Sequence, residues 1–270
     1  MNEFLKTLLM LNVQGSVLVV LLLLLRKLIQ KSFSGKWQRN IWLFVAVMFV
    51  LPAWKLVPEP AAVPIILPYN TNEILTYEIR EHTAVIEENE EGNLVPAVNT
   101  YTYKYDLKPW IWGLGAGVFM LLNVGGYIVF LLKKRKESIE ITEDEVFTIT
   151  LNDMGVRRKI KLKQCTDTDS PMLTGVFCPV VFVPTRELCS EETKYIYLHE
   201  LTHYKHKDLP LKWLVCIINA INWFNPFMYL VMKNLNEACE LYCDETVTKG
   251  MDDEGKKAYM NTILNLVVKK

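Results

Sequence analysis

Thr7 to Leu25 carries no charged residue and contains the unbroken apolar run Val17 to Leu25. That approaches the ~20 apolar residues that cross a bilayer, and in lipid a lone segment can satisfy its own backbone only as a helix. A cleaved signal peptide is the rival reading. The stretch is long for one, Glu3 offsets Lys6 before it, and no small-x-small site follows, so a retained helix over about 5–25 is expected. A second span is expected over about 40–57, with Trp37, Trp42 and Trp54 as candidate interface anchors. A third is expected over 110–132, where Gly113, Gly115, Ala116, Gly117, Gly125 and Gly126 would allow close helix packing.

The net charge is zero, but the charges are segregated. Arg26, Lys27, Lys31, Lys36 and Arg39 lie between the first two spans without an acid, and Lys133, Lys134, Arg135 and Lys136 follow the third. The segment 58–109 is acidic instead, through Glu59, Glu73, Glu78, Glu81, Glu87, Glu88, Glu90, Glu91 and Asp106. Lys and Arg mark the cytoplasmic side. The expected organisation is therefore a multi-pass membrane protein with its N-terminus outside. Residues 1–57 form two spans joined by a basic inner loop, 58–109 an acidic outer loop, 110–132 the third span, and 133–270 a cytoplasmic domain. All six cysteines follow the third span, which suits free thiols in a reducing compartment. Cys239 and Cys243, four apart, could bind a metal, but the neighbouring carboxylates offer a better site.

In the inner part, Phe147–Leu151 and Arg158–Cys165 alternate around Asn152-Asp153-Met154-Gly155 and predict a β-hairpin. Val180–Val183, between Pro179 and Pro184, predicts a strand consistent with a sheet edge, where an extended peptide could add as a further strand, with an ordinary sheet strand as the equal alternative. Ser190 is the predicted N-cap of a helix reaching about Asp208. Leu211–Met232 looks like a fourth span. Asn225-Pro226 argues instead for two helices, one going in and one returning, the second running from Pro226 to about Lys249 and stopping at Gly250.

The helix from Ser190 carries His199-Glu200-Leu201-Thr202-His203. Histidines four apart share one helix face and can grip one zinc ion, while Glu200 between them takes the proton of the attacking water. A third ligand is needed. His206 lies seven residues from His199, about 10 Å along the axis, too far to share the ion. Glu240 is the choice, with Glu237 the alternative. Asp244, one turn on, suits a carboxylate that holds a ligand imidazole in the correct tautomer. Tyr242 and His206 are candidates for stabilising a developing oxyanion, although packing suits each better.

His199-Glu200-Leu201-Thr202-His203, the charged stretch through His206 to Asp208, Trp223-Phe224-Asn225-Pro226, Glu240-Leu241-Tyr242-Cys243-Asp244 and Cys178-Pro179-Val180-Val181-Phe182-Val183-Pro184 together resemble the BlaR/MecR-type membrane metalloproteases, the sensor-transducer antirepressors of Gram-positive bacteria. The resemblance covers nearly the whole chain. It implies an α-helical membrane protein with an α+β cytoplasmic gluzincin metalloprotease domain, in the bacterial cell membrane. It also implies zinc held by His199, His203 and Glu240, with Glu200 as the catalytic acid/base. In known members an outer penicillin-binding domain senses a β-lactam, and the protease then cleaves itself and a repressor is lost. This sequence ends at Lys270 with no such domain and no Ser-x-x-Lys motif, so it reads as a truncated chain, a fragment or a short member with another input.

The expected function is a regulatory zinc endopeptidase that cuts itself or a cytoplasmic repressor in antibiotic-resistance signalling. The alternatives are a quality-control protease for membrane proteins and a non-catalytic transducer stabilised by zinc. Expected partners are a protein or peptide substrate and the lipid bilayer, with a homo-oligomer as a further candidate. No direct nucleic-acid contact is expected, because the basic clusters fit membrane topology and no basic recognition helix is present.

Overall fold

A computed structural model describes residues 3–52, 76–88, 94–168, 170–185 and 189–268. The described chain is mostly helical with a small mixed sheet. Its helices are α1 (Glu3–Leu24), α2 (Arg26–Ser32), α3 (Gly35–Met48), α4 (Lys108–Lys136), α5 (Glu145–Asp153), α6 (Ser190–His206), α7 (Asp208–Ile221), α8 (Pro226–Val247) and α9 (Asp253–Val268). The strands are β1 (Thr76–Glu88), β2 (Leu94–Asp106), β3 (Ser138–Ile141), β4 (Lys161–Cys165), β5 (Met172–Thr174) and β6 (Val180–Pro184).

Among the described residues, α1 and α4 are long and apolar enough to cross a membrane. The segment expected as a second span differs. It is helical only to Met48, as the end of the 14-residue α3, and residues 53–57, Trp54 among them, lie outside the described residues. Trp42 is no interface anchor. It is buried with Val45, Ala46, Phe49, Met228 and Val231 in the core that joins α1, α3, α7 and α8. Of the glycines in α4, Gly115 meets a neighbour: a Cβ there would stand 2.3 Å from the Trp223 ring, whereas Gly113, Gly117, Gly125 and Gly126 face open space.

β1 and β2 form an antiparallel hairpin with Thr76 opposite Asp106 and Glu88 opposite Leu94. The second sheet has the order β3-β4-β6-β5, with β4 and β6 parallel and the other pairs antiparallel. β6 is thus an inner strand, not the expected edge; the edges are β3 and β5. Five consecutive buried residues of β6 explain its place, since a strand covered on both faces reads as a continuous apolar run.

The expected hairpin over 147–165 is also absent. Residues 145–153 are helical, because Asp144 caps α5 by accepting from the Phe147 N–H at 2.8 Å, and Phe147 packs edge-on against Tyr197 of α6. The Asn152–Gly155 turn signal is the stop of that helix. Gly155 has φ +65°, and the amides of Gly155 and Val156 close back on Asn152 and Leu151.

The segment 208–247 divides at Asn222–Asn225 into α7 and α8, with Asn225 capping Phe227 at 2.9 Å. Its tip is tied to α1: Asn12 donates to Asn222 at 2.8 Å, and Asn225 donates to Asn12 at 2.7 Å and to Ser16 at 3.0 Å. It is tied to α4 by Trp112, whose indole donates to Ile221 O at 2.9 Å. α7 has 14 residues, so the tip stands about 20 Å from the base of the hairpin. At that base, the basic segment after α1 meets the hairpin. Arg26 pairs with Glu237 at 2.8 Å, Arg39 with Asp208 at 3.1 Å, and Gly35 N–H with Glu245 at 2.8 Å.

Candidate metal centre

α6 begins one residue earlier than expected. Cys189 is its N-cap, in a reciprocal capping box with Glu192. Ile196, Tyr197 and Leu201 pack into the core beneath β6 and so turn His199 and His203 outward into the cleft. The helix stops at Lys207, a non-glycine residue in the left-handed region (φ 58°). That costly conformation reverses the chain abruptly and sets Asp208 beneath the end of α6, ahead of the expected helix limit.

The two Nε2 atoms of His199 and His203 lie 3.2 Å apart. Glu240 Oε2, arriving on the returning α8, is 3.2 Å from His203 Nε2 and 3.5 Å from His199 Nε2. Tetrahedral ligands with bonds of about 2.0–2.1 Å stand about 3.3–3.4 Å from one another. The three atoms therefore fit three corners of one coordination sphere. Cys243 is also close, and its Sγ groups with the two imidazoles within 4.8 Å. Its contacts, however, are to the opposite nitrogen, Nδ1 of His199, at 3.5 Å and to the His199 carbonyl at 3.3 Å. Glu240 suits the shared centre better. Glu237 is turned away, paired with Arg26.

The outer nitrogens are held from behind. His203 Nδ1 meets Asp208 Oδ2 at 2.7 Å, and Asp208 is in turn fixed by Arg39. His199 Nδ1 meets the Tyr259 hydroxyl at 2.8 Å, and that hydroxyl donates to Asp244 Oδ1 at 2.6 Å. Asp244 itself is 3.5 Å from His199 Nδ1, so its hold on the ring runs mainly through Tyr259. Asp208, Arg39 and Tyr259 were not singled out as parts of the site from sequence, whereas Cys243 was weighed as a metal ligand and set behind the carboxylates. Asp208 had a usable signal, as the first acid after the two histidines. Tyr259, on α9, had none. His206 and Tyr242 stack at 3.8 Å beneath Arg39 and act in packing.

Electrostatics favour a cation here. Burial alone would disfavour protonated imidazoles, yet hydrogen bonds with Asp208, Cys243 and Glu240 lift His203 to about 11, and those with Asp244, Cys243 and Glu240 raise His199 as well. Burial opposes ionisation of Glu240, but the two imidazoles hold its carboxyl well below the usual range. Glu200 behaves differently. It is 8% exposed, and burial pushes its carboxyl up despite the nearby imidazoles. A buried carboxyl with a raised pKa can serve as a general acid–base. The cleft above has a volume of about 480 Å³ and is walled by β5, by Ile263 and Leu266 of α9, and by Lys212.

Comparison with known proteins gives one consistent result. The sequence pattern of the BlaR1 peptidase M56 family matches residues 6–270. The regulatory protein BlaR1 of Bacillus licheniformis is 27% identical over 160 residues, 57% of this chain and 26% of that protein. The methicillin resistance MecR1 protein of Staphylococcus aureus is 25% identical over 283 aligned positions, 98% of this chain and 47% of that protein. The chain thus spans less than half the length of these curated relatives. It belongs to the BlaR1 peptidase M56 family.

Proposed function

We propose that this M56 peptidase is a membrane-embedded, zinc-dependent regulatory endopeptidase of bacteria. We further propose that it cleaves itself or a cytoplasmic repressor, in the antibiotic-resistance signalling that the names of its relatives indicate. The observation that carries the reading is the convergence of His199 Nε2, His203 Nε2 and Glu240 Oε2 at 3.2–3.5 Å beside the buried Glu200.

His199, His203 and Glu240 would hold the ion. Bound there, zinc supplies Lewis acidity, which acidifies water and polarises the scissile carbonyl. The chain's own residues do the rest. Glu200 takes the proton from the attacking water and returns it to the leaving amine. Asp208, and Asp244 acting through Tyr259, fix the tautomers of the two imidazoles. The free edge of β5, in the cleft wall, offers backbone groups to an extended substrate. The strand-addition surface thus moves from β6 to β5.

The same reading puts 133–270 in the cytoplasm as a gluzincin domain and the acidic 58–109 segment outside. It is supported by the contacts of Arg26 and Arg39, from the basic loop, with the base of the α7–α8 hairpin. Metal content of the detergent-purified protein, beside a His203→Ala control, tests the site; cleavage of the chain itself and of a candidate repressor by wild type and Glu200→Ala tests the chemistry. Near one zinc per chain, lost in the control, with cleavage abolished in a Glu200→Ala protein that keeps its zinc, is expected. Signalling intact in Glu200→Ala would overturn catalysis in favour of a zinc-stabilised transducer.

A further inference from the structure

On the side of the sheet away from the metal cleft, α4 and α7 enclose a groove of about 680 Å³. Its walls are Val124, Tyr127 and Leu131 of α4 and Trp213, Leu214 and Ile217 of α7, and Arg135 stands at its inner end. α4 is one of the two helices fit to cross a membrane, and none of its apolar window is buried. Leu214 and Ile217 are about half exposed. On the membrane-embedded reading proposed above, on which this inference rests, the groove opens to lipid.

The turn Gly175–Cys178 closes its inner side. Gly175 N–H donates to the Tyr127 hydroxyl at 3.1 Å, Tyr127 meets Trp213 edge-on at 5.1 Å, and Phe177 is 85% exposed beside the opening. A smaller cavity of about 260 Å³ shares Gly175, Val176 and Pro210 with the groove. Its other walls carry Arg158, Lys205 and Lys207, and no Asp or Glu lines either space among the described residues. Arg158 also donates to the Phe177 carbonyl, so the cation sits on the turn that separates the two spaces.

An apolar slot beside a pocket of three cations, the two sharing a wall of Gly175, Val176 and Pro210, matches a molecule with a long hydrocarbon tail and an anionic head that reaches across that wall. We propose that it binds an anionic phospholipid of the inner leaflet, the acyl chain along α4 and α7 and the phosphate among Arg158, Lys205 and Lys207. The site is separate from the hydrolytic centre and does not depend on its metal. The two meet at His203 and Leu209, which line the rear of the head pocket, and at β5, which leads into the Gly175 turn. A lipid seated here would brace the β5 edge of the sheet.

The test is native mass spectrometry of the full chain in detergent, offered dioleoyl-phosphatidylglycerol or dioleoyl-phosphatidylcholine. One phosphatidylglycerol per chain should be retained in preference to phosphatidylcholine. Each cation near a membrane surface contributes about fivefold in binding. The double variant Arg158→Gln/Lys207→Asn should therefore lower retention roughly 20-fold, and Leu214→Trp, which fills the tail slot, should lower it without touching the cations. Equal retention of the two lipids, or unchanged retention in both variants, would reduce the groove to ordinary annular contact and overturn the proposal. Displacement of phosphatidylglycerol by glycerol 3-phosphate would assign the pocket to free phosphate compounds. Displacement by a glutamate-rich peptide would assign it to an acidic protein segment. Either result also overturns it.

Discussion

Residues 108–136 and 208–232 are both strongly apolar, yet the first forms one unbroken helix and the second turns back on itself. The difference does not lie in hydropathy. In α4, no residue of the apolar window is buried, and its polar Asn123 bonds to its own helix at Phe119 O. In the α7–α8 hairpin, Asn222 and Asn225 at the tip bond across to Asn12 and Ser16, while Val215, Ile218, Met228 and Val231 are packed in the core. Buried side-chain amides need partners within the protein. Here the partners Asn12 and Ser16 lie on α1, about 14 Å and about 20 Å from its start by helical rise. The proline after Asn225 supplies the break, and the asparagines supply the anchorage. The return brings Glu240 to His199 and His203.

The sharpest way to break this contrast is to make the second segment resemble the first. Asn222→Leu/Asn225→Leu/Pro226→Leu should favour one continuous helix and carry Glu240 away from the histidines. Metal binding should be abolished, and a cysteine placed by Lys249→Cys should react with a membrane-impermeant maleimide added to whole cells. Retained metal and an unreactive cysteine would show that the hairpin does not depend on its tip.

A smaller effect separates the two carboxylates that share α8. Glu240→Ala should lose more than ~100-fold in zinc affinity, beyond the ~10–100-fold loss typical of outer partners. Glu237→Ala, which only releases Arg26, should stay close to wild type in competition with a chelator of known affinity. Equal losses would return the third ligand to doubt between them. The loss for Asp208→Asn should be ~10–100-fold, because the imidazole of His203 loses its orienting charge while keeping its place. The same titration measures it, and an unchanged affinity would show that Arg39 and Asp208 serve packing alone.

The weakest expected effect compares glycines within α4. Gly115→Ala drives a methyl against Trp223 at the hairpin tip and should destabilise by about 1–3 kcal/mol. Gly117→Ala faces open space and should be near neutral or slightly stabilising. Thermal unfolding in one detergent reads both, and equal melting temperatures would argue against a tight contact between α4 and the hairpin.

Much of the centre was legible because its parts are local. His199, Glu200 and His203 lie within one and a half helical turns, and Asn225-Pro226 breaks a helix wherever it occurs. Reading failed where two local signals competed. Phe147, Ile149 and Leu151 alternate like a strand, but Asp144 caps the segment and Tyr197 receives Phe147, so burial and capping outweighed alternation. Val180–Val183 resembled an edge because prolines flank it, while β5, just before it in the chain, pairs with one side and β4 with the other.

What the amino-acid sequence determined by itself is whatever depends on helix period, charge sign and the chemistry of single residues. These are the apolar helices, the placement of basic clusters at their ends, and the shared face of His199 and His203 on α6. What only the tertiary structure decided is which distant groups meet that face. Glu240, Asp208 and Tyr259 reach the imidazoles from three different helices, and Asn12 anchors the hairpin from more than two hundred residues away. No periodicity encodes such meetings, because they arise when burial of one helix face fixes where its opposite face points.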